Sequence, residues 1–193
     1  MTPPRAARVC AVVLAAGSST RMGRPKLALA IDGEAMLRRV ARAALASRCR
    51  EVVVVLGADA PLYAPLLADL PVRVVHNPDH REGIASSLRV GIRAVAPEAD
   101  GAVILLGDQP FVTAAVIDSL IARAADALVA ASRARGVVGP PVYFARAVFP
   151  ELLALHGDRG ARAVVEAHAA DAVIISLPEE AAADVDRPSD LHG

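Results

Sequence analysis

The residue type that stands out in this chain is lysine, because Lys26 is the only one among 21 lysine and arginine residues. It lies in a glycine-containing loop directly after the first apolar run. A lysine supplies a compact charge on a flexible stem, which arginine does not. Backbone N–H groups of such a loop can cradle phosphate oxygens, while Arg21 and Lys26 neutralise them. The loop therefore predicts polyphosphate binding. The alternative is that composition bias left a single lysine in the chain and that its place in this loop has no function.

Two common phosphate-binding signatures are absent from the sequence. No Gly-Lys-Ser/Thr follows Gly17 as a Walker A loop requires, and the dinucleotide pattern GxGxxG occurs nowhere in the chain. The loop therefore belongs to neither of these classes.

A second polar cluster, Gly107-Asp108-Gln109-Pro110, follows the apolar run Ala102–Leu106. Ligands of open α/β sheets bind at the carboxyl ends of the strands, so Asp108 would point into the same crevice as Lys26. Magnesium is usually held by one or two carboxylates together with phosphate oxygens. Asp108 is therefore a candidate magnesium ligand. The alternative is a turn in which the aspartate bonds to the backbone.

The third cluster lies near the end of the chain, where Asp184, Asp186 and Asp190 surround Pro188. Spacing alone favours a helix start with Pro188 in its first turn. The functional alternative is a second carboxylate for the metal, and the spacing leaves open whether that is Asp184 or Asp186.

Two further segments each have two interpretations. Asn77 either bonds a ribose or base edge or makes an Asn-Pro turn with Pro78. The segment from Gly83 to Gly91, with Ser86 and Ser87, either offers a helix N-terminus to an anion or packs as an ordinary helix with the serines in solvent.

Composition bounds the class of protein. The 193 residues are 54% hydrophobic and 22% charged, which predicts one folded domain spanning residues 1–193. Aromatic residues make up 3%, so a nucleobase would be gripped by backbone and polar groups. A net charge of zero without basic runs argues against nucleic acid as a partner.

Cys10 and Cys49 lack metal-ligand spacing and are expected to be buried, reduced thiols. No segment reads as a signal peptide or membrane span, so we expect a cytoplasmic protein.

Short apolar runs alternate with segments of helical period, which is typical of βαβ units around a parallel sheet. The predicted strands are Val9–Ala15, Val52–Leu56, Val72–Val75, Ala102–Leu106 and Ala172–Ser176. The predicted helical stripes are Leu37/Val40/Ala41/Ala44/Leu45, Ile84/Leu88/Gly91/Ile92/Val95 and Ile117/Leu120/Ile121/Ala124, the last with Thr113 as N-cap. Beyond Leu128 we expect a loop over Arg133–Pro141, a short strand Val142–Phe144 and two helices, about Ala147–Leu155 and Arg159–Ala169.

These clusters together resemble a known family. The loop Leu14-Ala15-Ala16-Gly17-x-Ser19-x-Arg21-Met22-Gly23-x-x-Lys26 resembles the signature of nucleotidyltransferases similar to the molybdenum cofactor transferases. The turn Gly107-Asp108-Gln109-Pro110 resembles their metal-binding turn, and Asp186-x-Pro188-x-Asp190 resembles their C-terminal acidic element. Two more recurring pieces match, Gly157-Asp158-x-Gly160-Ala161-Arg162 and Asn77…Gly83…Ser87…Gly91. The similarity runs from about Val9 to Leu191.

The subgroup that the chain resembles most is that of molybdenum cofactor cytidylyltransferases. This resemblance implies a Rossmann-like three-layer α/β fold with a mostly parallel sheet, and transfer of a cytidylyl group from CTP to the phosphate of molybdopterin with Mg²⁺. Guanylyl-transferring relatives tend to carry glycine where this chain has Ala16. Arg187 and Ser189 depart from the family's usual threonine and glutamate.

The resemblance also implies roles for single residues. Arg21, Lys26 and Asp108 would be catalytic, with Asp108 and Asp186 holding the metal. The implied nucleotide contacts are Leu14, Ala15, Ala16, Gly17, Ser18, Arg21, Lys26, Asn77, Gly83, Ser87, Gly107 and Asp108. Implied partners are CTP or another NTP, a phosphorylated pterin, and a recipient molybdoenzyme or its chaperone. A guanylyltransferase, another small-molecule nucleotidyltransferase and a non-catalytic delivery protein are the alternatives.

Overall fold

The protein, described by a computed structural model over residues 7–17, 25–123 and 127–178, is built around a seven-stranded sheet. A separate two-stranded hairpin pairs Ala30–Ile31 with Glu34–Ala35. In chain order the strands are β1 (Val9–Ala15), β2 (Ala30–Ile31), β3 (Glu34–Ala35), β4 (Glu51–Leu56), β5 (Arg73–His76), β6 (Gly101–Leu106), β7 (Val129–Ala134), β8 (Val137–Ala145) and β9 (Val173–Ser176).

Strand order in the large sheet is β5-β4-β1-β6-β8-β7-β9. The first four of these strands are mutually parallel, and β9 runs parallel to β7. Strand β8 is antiparallel to both of its neighbours, β6 and β7. The prediction of a mostly parallel sheet is confirmed, and all five apolar runs form strands within one residue of the expected bounds.

Helices cover both faces of this sheet and complete a three-layer α/β fold. They are α1 (Met36–Leu45), α2 (Ala60–Tyr63), α3 (Ile84–Ala94), α4 (Ala114–Arg123), α5 (Phe149–Leu153) and α6 (Ala161–Ala167). Alternate residues of β1 enter two apolar cores, because successive side chains of a strand point to opposite faces. Ala11 and Val13 pack with α1 and α4, whereas Val12 packs with α3, α5 and α6.

The apolar stripes read from the sequence are the buried faces of their helices. Leu37, Val40, Ala41 and Ala44 of α1 are almost fully buried. Thr113 caps α4 as expected, because its Oγ1 accepts the N–H of Val116 at 3.3 Å. Ala124, which closed the third predicted stripe, lies outside the described residues. Within the described ranges, no helix has the length and apolarity needed to cross a membrane.

The expectation of a loop over Arg133–Pro141 is wrong, because this segment forms most of a β-hairpin. The hairpin turns at Arg135 and Gly136, between β7 and β8. Its pairing shifts register: Ala131 pairs with Val142, whereas Ser132 pairs with Gly139. Pro140 and Pro141 are the residues left unpaired, so neither needs the backbone N–H that proline lacks. The predicted helices after the hairpin are present but shorter than expected.

Candidate functional site

The parallel strands β5, β4, β1 and β6 end side by side at the carboxyl edge of the sheet. The chain segments that leave these strands are bonded to one another across that edge. Asn77 N–H donates to Leu56 O at 2.8 Å, which joins the ends of β5 and β4. Gly107 N–H donates to Leu14 O at 2.9 Å, which joins the ends of β6 and β1. The predicted site residues on different segments therefore share one edge.

Lys26 and Asp108 form a direct ion pair at this edge. Lys26 Nζ lies 3.0 Å from Asp108 Oδ2, although the residues are 82 positions apart in the chain. The lysine side chain is 13% exposed and the aspartate side chain 31%, so the pair is half-buried yet open to solvent on the carboxylate side. The expectation that these two groups lie together at the carboxyl edge of the sheet is confirmed.

A short 3-10 turn over Lys26–Ala28 fixes the backbone of the lysine. Leu29 N–H donates to Lys26 O at 3.1 Å, which closes the turn. Leu27 is 6% exposed, and its Cδ1 atom lies 3.3 Å from the position that a Cβ on Gly107 would take. Burial of Leu27 against the end of β6 therefore holds Lys26 next to Asp108.

Helix α1 contacts the turn that carries Asp108 through Arg39. Arg39 Nε donates to Pro110 O at 3.1 Å, and the guanidinium lies 6.0 Å from the centre of the Phe111 ring. Within the turn, Val112 N–H donates to Gln109 O at 3.2 Å. Sequence reasoning gave Arg39 no role, since nothing along the chain connects it to residues 107–111.

Gln109 is a second residue near the site that we did not single out from its sequence pattern. Its side chain is 5% exposed, and its Oε1 atom has no hydrogen-bond partner among the described residues. A buried acceptor without a partner carries a desolvation cost. The signal was present in the sequence, because a polar residue directly after Asp108 follows a fully apolar strand.

Gly57, at the end of β4, allows the carboxyl edge to close. A Cβ at this position would lie 2.6 Å from Ala16 O and 3.1 Å from Ala16 Cβ. Any larger residue would therefore push β4 away from the end of β1. The methyl group of Ala16, which is 5% exposed, packs against this glycine.

Asn77 is fully buried and its amide group is used inside the protein. Asn77 Nδ2 donates to Ser86 Oγ and Ser87 Oγ, both at 2.9 Å, and Asn77 Oδ1 accepts the N–H of Asp79 at 3.0 Å. The turn interpretation is therefore correct, and the direct ribose or base contact expected of Asn77 is not available to this side chain. The alternative in which the serines face solvent is also wrong, because Ser86 and Ser87 are 2% and 6% exposed.

Gly83, the residue before α3, has φ 96° and ψ 178°, a conformation that is essentially restricted to glycine. A Cβ there would lie 2.5 Å from Asp158 Oδ1 and against Gly157 O. Gly157 O also accepts the N–H of Ala85 at 3.1 Å. The Gly157–Gly160 segment therefore covers part of the α3 N-terminus that was a candidate anion site.

Asp108 supplies a carboxylate that suits a divalent ion at this edge. Within residues 7–17, 25–123 and 127–178, no three His, Cys, Asp or Glu side chains converge as a ready-made metal cage. Magnesium bound with a nucleotide needs one or two carboxylates only, so the site fits this use. Ser18, Arg21, Asp184 and Asp186 lie outside the described residues.

The two cysteines are structural thiols. Cys10 is 2% exposed, as expected, whereas Cys49 is half-buried. Burial raises the pKa of the Cys49 thiol to about 11 and also raises the pKa of Cys10. Such thiols are protonated at neutral pH and are poor nucleophiles or metal ligands.

Comparison with known proteins gives the site a family context. Residues 11–173 match the MobA-like NTP transferase domain. Purine catabolism protein PucB of Bacillus subtilis is 35% identical, over 93% of this chain and 92% of its own length. The crystal structure of Rv0371c of Mycobacterium tuberculosis in complex with manganese is 31% identical, covers 95% of each chain and superposes with a TM-score of 0.82.

A nucleotidyl transferase from Methanothermobacter, Mth528, is 26% identical, covers 95% of this chain and 94% of its own, and has a TM-score of 0.81. The domain match spans both Lys26 and Asp108 and contains strands β2 to β8, most of β1 and the first residue of β9. The protein therefore belongs to the MobA-like NTP transferase family.

Proposed function

We propose that this protein transfers a cytidylyl group from CTP to the phosphate of molybdopterin and releases pyrophosphate. The observation that carries the proposal is the juxtaposition of Lys26 and Asp108 at the carboxyl edge of the sheet, 3.0 Å apart. One group suits phosphate oxygens and the other suits a divalent cation, which are the two halves of a metal–nucleotide substrate. Family membership supports nucleotidyl transfer as the reaction class.

In this reaction the acceptor phosphate attacks the α-phosphorus of the nucleotide in line, and pyrophosphate leaves. Lys26 would bridge the α-phosphate and the incoming phosphate, while Arg21 would hold the β- and γ-phosphates. Such chemistry depends on positioning and on neutralising charge rather than on a protein nucleophile. An acceptor phosphate is already ionised at neutral pH, so no general base is required.

Asp108, with Asp186, would hold Mg²⁺. When bound, Mg²⁺ would withdraw charge from the α-phosphate oxygens. The half-exposed carboxylate of Asp108 supports this assignment, because it retains access to solvent beside the lysine. Rv0371c was crystallised with manganese, which is consistent with use of a divalent ion by a relative.

Base selection is assigned to the end of β1. Backbone groups of Leu14, Ala15, Ala16 and Gly17 would contact the base and ribose, with Ser18, Ser87, Gly83 and Gly107 nearby in the proposed nucleotide site. Asn77 would act through the two serines that it binds rather than on the ligand. Ala16 occupies more space than glycine, which favours the smaller pyrimidine.

The test is incubation of the protein with each of the four NTPs, Mg²⁺ and molybdopterin, followed by mass analysis of the product and measurement of pyrophosphate. We expect a cytidylylated pterin from CTP and none from the Asp108→Asn variant. A guanylylated product would move the assignment to a guanylyltransferase. Nucleotide binding without pyrophosphate release would favour a delivery protein that hands the cofactor to a molybdoenzyme or its chaperone.

A further inference from the structure

The two charged groups that the proposed function assigns to different ligands are engaged with each other. Lys26 Nζ contacts Asp108 Oδ2 at 3.0 Å, and the lysine side chain is 13% exposed. The ammonium contacts one of the two carboxylate oxygens to which a divalent cation could bind. The lysine ammonium and a divalent cation would therefore compete for the same carboxylate.

A divalent ion bound to Asp108 would lie within a few ångströms of the ammonium. Magnesium–oxygen distances are about 2.1 Å, so an ion on the carboxylate remains close to Nζ unless the lysine moves. Like charges at that separation repel, and partial burial weakens the screening that water would provide. Metal binding to the nucleotide-free protein must therefore displace Lys26 or work against its charge.

The backbone of Lys26 is held in place, and an exchange of oxygen partners would take place through its flexible side chain. The turn over Lys26–Ala28 and the buried Leu27 fix where the stem begins. The ammonium of lysine is a compact charge at the end of a flexible four-carbon stem. It can therefore exchange one oxygen partner for another without movement of the main chain. A polyphosphate would supply such partners and would also attract the metal.

We infer that Lys26 is an internal counter-ion that opposes divalent metal binding at Asp108 until a nucleotide brings negative charge for both. The inference rests on the proposed metal role of Asp108. It makes metal and nucleotide binding mutually favourable, since the coupling between two ligands is reciprocal. The ion would thus enter with the triphosphate rather than ahead of it.

The experiment measures binding of Mn²⁺ alone, without nucleotide, from the electron paramagnetic resonance signal of the free ion. The main comparison is of wild type with Lys26→Met, Lys26→Arg and the double variant Lys26→Met/Asp108→Asn. Removing the charge should tighten Mn²⁺ binding by about tenfold, because one nearby like charge is gone. Lys26→Arg keeps the charge and should bind Mn²⁺ as wild type does.

The double variant should lose the gain of Lys26→Met, because the gain is expected to pass through the Asp108 carboxylate. Arg162→Met is the matched control, since it removes one cation from an exposed pair with Glu166 on α6 and should change nothing. Lys26→Gln repeats the charge removal with a polar stem in case the methionine variant folds poorly.

Equal or weaker Mn²⁺ binding by both neutral variants would overturn the inference, as would a gain that survives the Asp108→Asn change. These outcomes are separable from failure of the proposed function. An Asp108→Asn enzyme with full Mg²⁺-dependent turnover removes the metal role itself, whereas unchanged Mn²⁺ affinity in the Lys26 variants removes only the coupling.

Discussion

Ala16 differs from glycine by one methyl group, and that methyl lies at the end of β1, where the base is proposed to bind. It packs against Gly57 and is almost fully buried. We expect Ala16→Gly to shift the ratio of kcat/KM for CTP over GTP towards GTP by up to about tenfold, the lower end of what one methyl group discriminates in a pocket, because this methyl group acts on the base through the position of the β1 end. Steady-state pyrophosphate release with each nucleotide measures the ratio.

Ala15→Gly is the control for that change, because it removes the same methyl group one residue earlier. Ala15 is 3% exposed, and its Cβ packs towards Gly107 rather than towards Gly57. This variant should lose stability and leave the nucleotide ratio of wild type. An equal shift in both variants would mean that the ratio reports general loosening of the edge.

Asn77 is expected to act as a structural link between β5 and α3. Asn77→Ala removes the donor shared by Ser86 and Ser87 and should lower the free energy of unfolding by about 1–3 kcal/mol. Urea unfolding of Asn77→Ala, Ser87→Ala and the double variant gives the coupling energy between the pair. Additive effects, with no coupling energy, would contradict the link.

At the level of single residues, sequence patterns located the charged pair but not the buried asparagine. Lys26 and Asp108 could be predicted because each follows a strand of a parallel sheet, and parallel strands end at one edge. The orientation of Asn77 could not, since an Asn-Pro pair after a strand looks the same whether its amide faces a ligand or two serines. Burial there is set by α3 packing back onto β4 and β5, which the local sequence does not encode.

The start of α3 depends on glycine at position 83. Gly83→Ala should destabilise the protein by about 3 kcal/mol, because the new Cβ would collide with Gly157 and Asp158 in a backbone conformation that alanine avoids. Gly136→Ala is the matched control: its φ is also positive, at 76°, but a Cβ there meets nothing within 4 Å. The free energy of unfolding of that variant should be lower than that of wild type by only about 1 kcal/mol.

Urea midpoints of the two glycine variants distinguish packing from backbone strain. A larger loss at Gly83 would show that the Gly157–Gly160 segment is fitted against α3. Equal losses would mean that this segment moves aside and that the contact contributes little. Nucleotide KM should rise in Gly83→Ala with Ser87 displaced, whereas Gly136→Ala lies in the β7–β8 turn and should keep the wild-type KM.

Element prediction was accurate where hydrophobic period and backbone chemistry agreed. The central strands β1, β4 and β6 are nearly unbroken apolar runs that are buried along almost their whole length, which is the pattern of parallel strands covered on both faces. The edge strands β5 and β9 have shorter apolar runs and are more exposed. The hairpin of β7 and β8 was missed because Gly139, Pro140 and Pro141 indicate a loop. The pairing of β7 with β8 leaves both prolines out. The register between the two strands therefore allows a hairpin where the prolines by themselves indicate a loop.

At the scale of the whole molecule, ion pairs on α1 connect the site face to the rest of the fold. Arg39 braces the Asp108 turn, and on the same helix Arg38 binds Asp69, which follows β4 and α2 in the chain. Arg38 Nη2 donates to Asp69 Oδ2 at 2.7 Å, and Nη1 donates to the other carboxylate oxygen and to Leu66 O. We therefore expect the free energy of unfolding to depend on the surface carboxylate of Asp69.

The hydrogen bond from Arg38 lowers the pKa of Asp69 to about 2, from an ordinary value of 3.8. Because the folded-state pKa is the lower one, the pair stabilises the protein above about pH 4, and this contribution is lost as the pH falls towards 2. Urea midpoints should therefore be higher for wild type than for Asp69→Asn at pH 6 and should converge near pH 2. High salt should narrow the difference in urea midpoint between the two proteins at pH 6, since the pair is exposed.

Arg38→Met should remove the same pH dependence. A difference in urea midpoint between wild type and Asp69→Asn that persists at pH 2 would contradict the assignment.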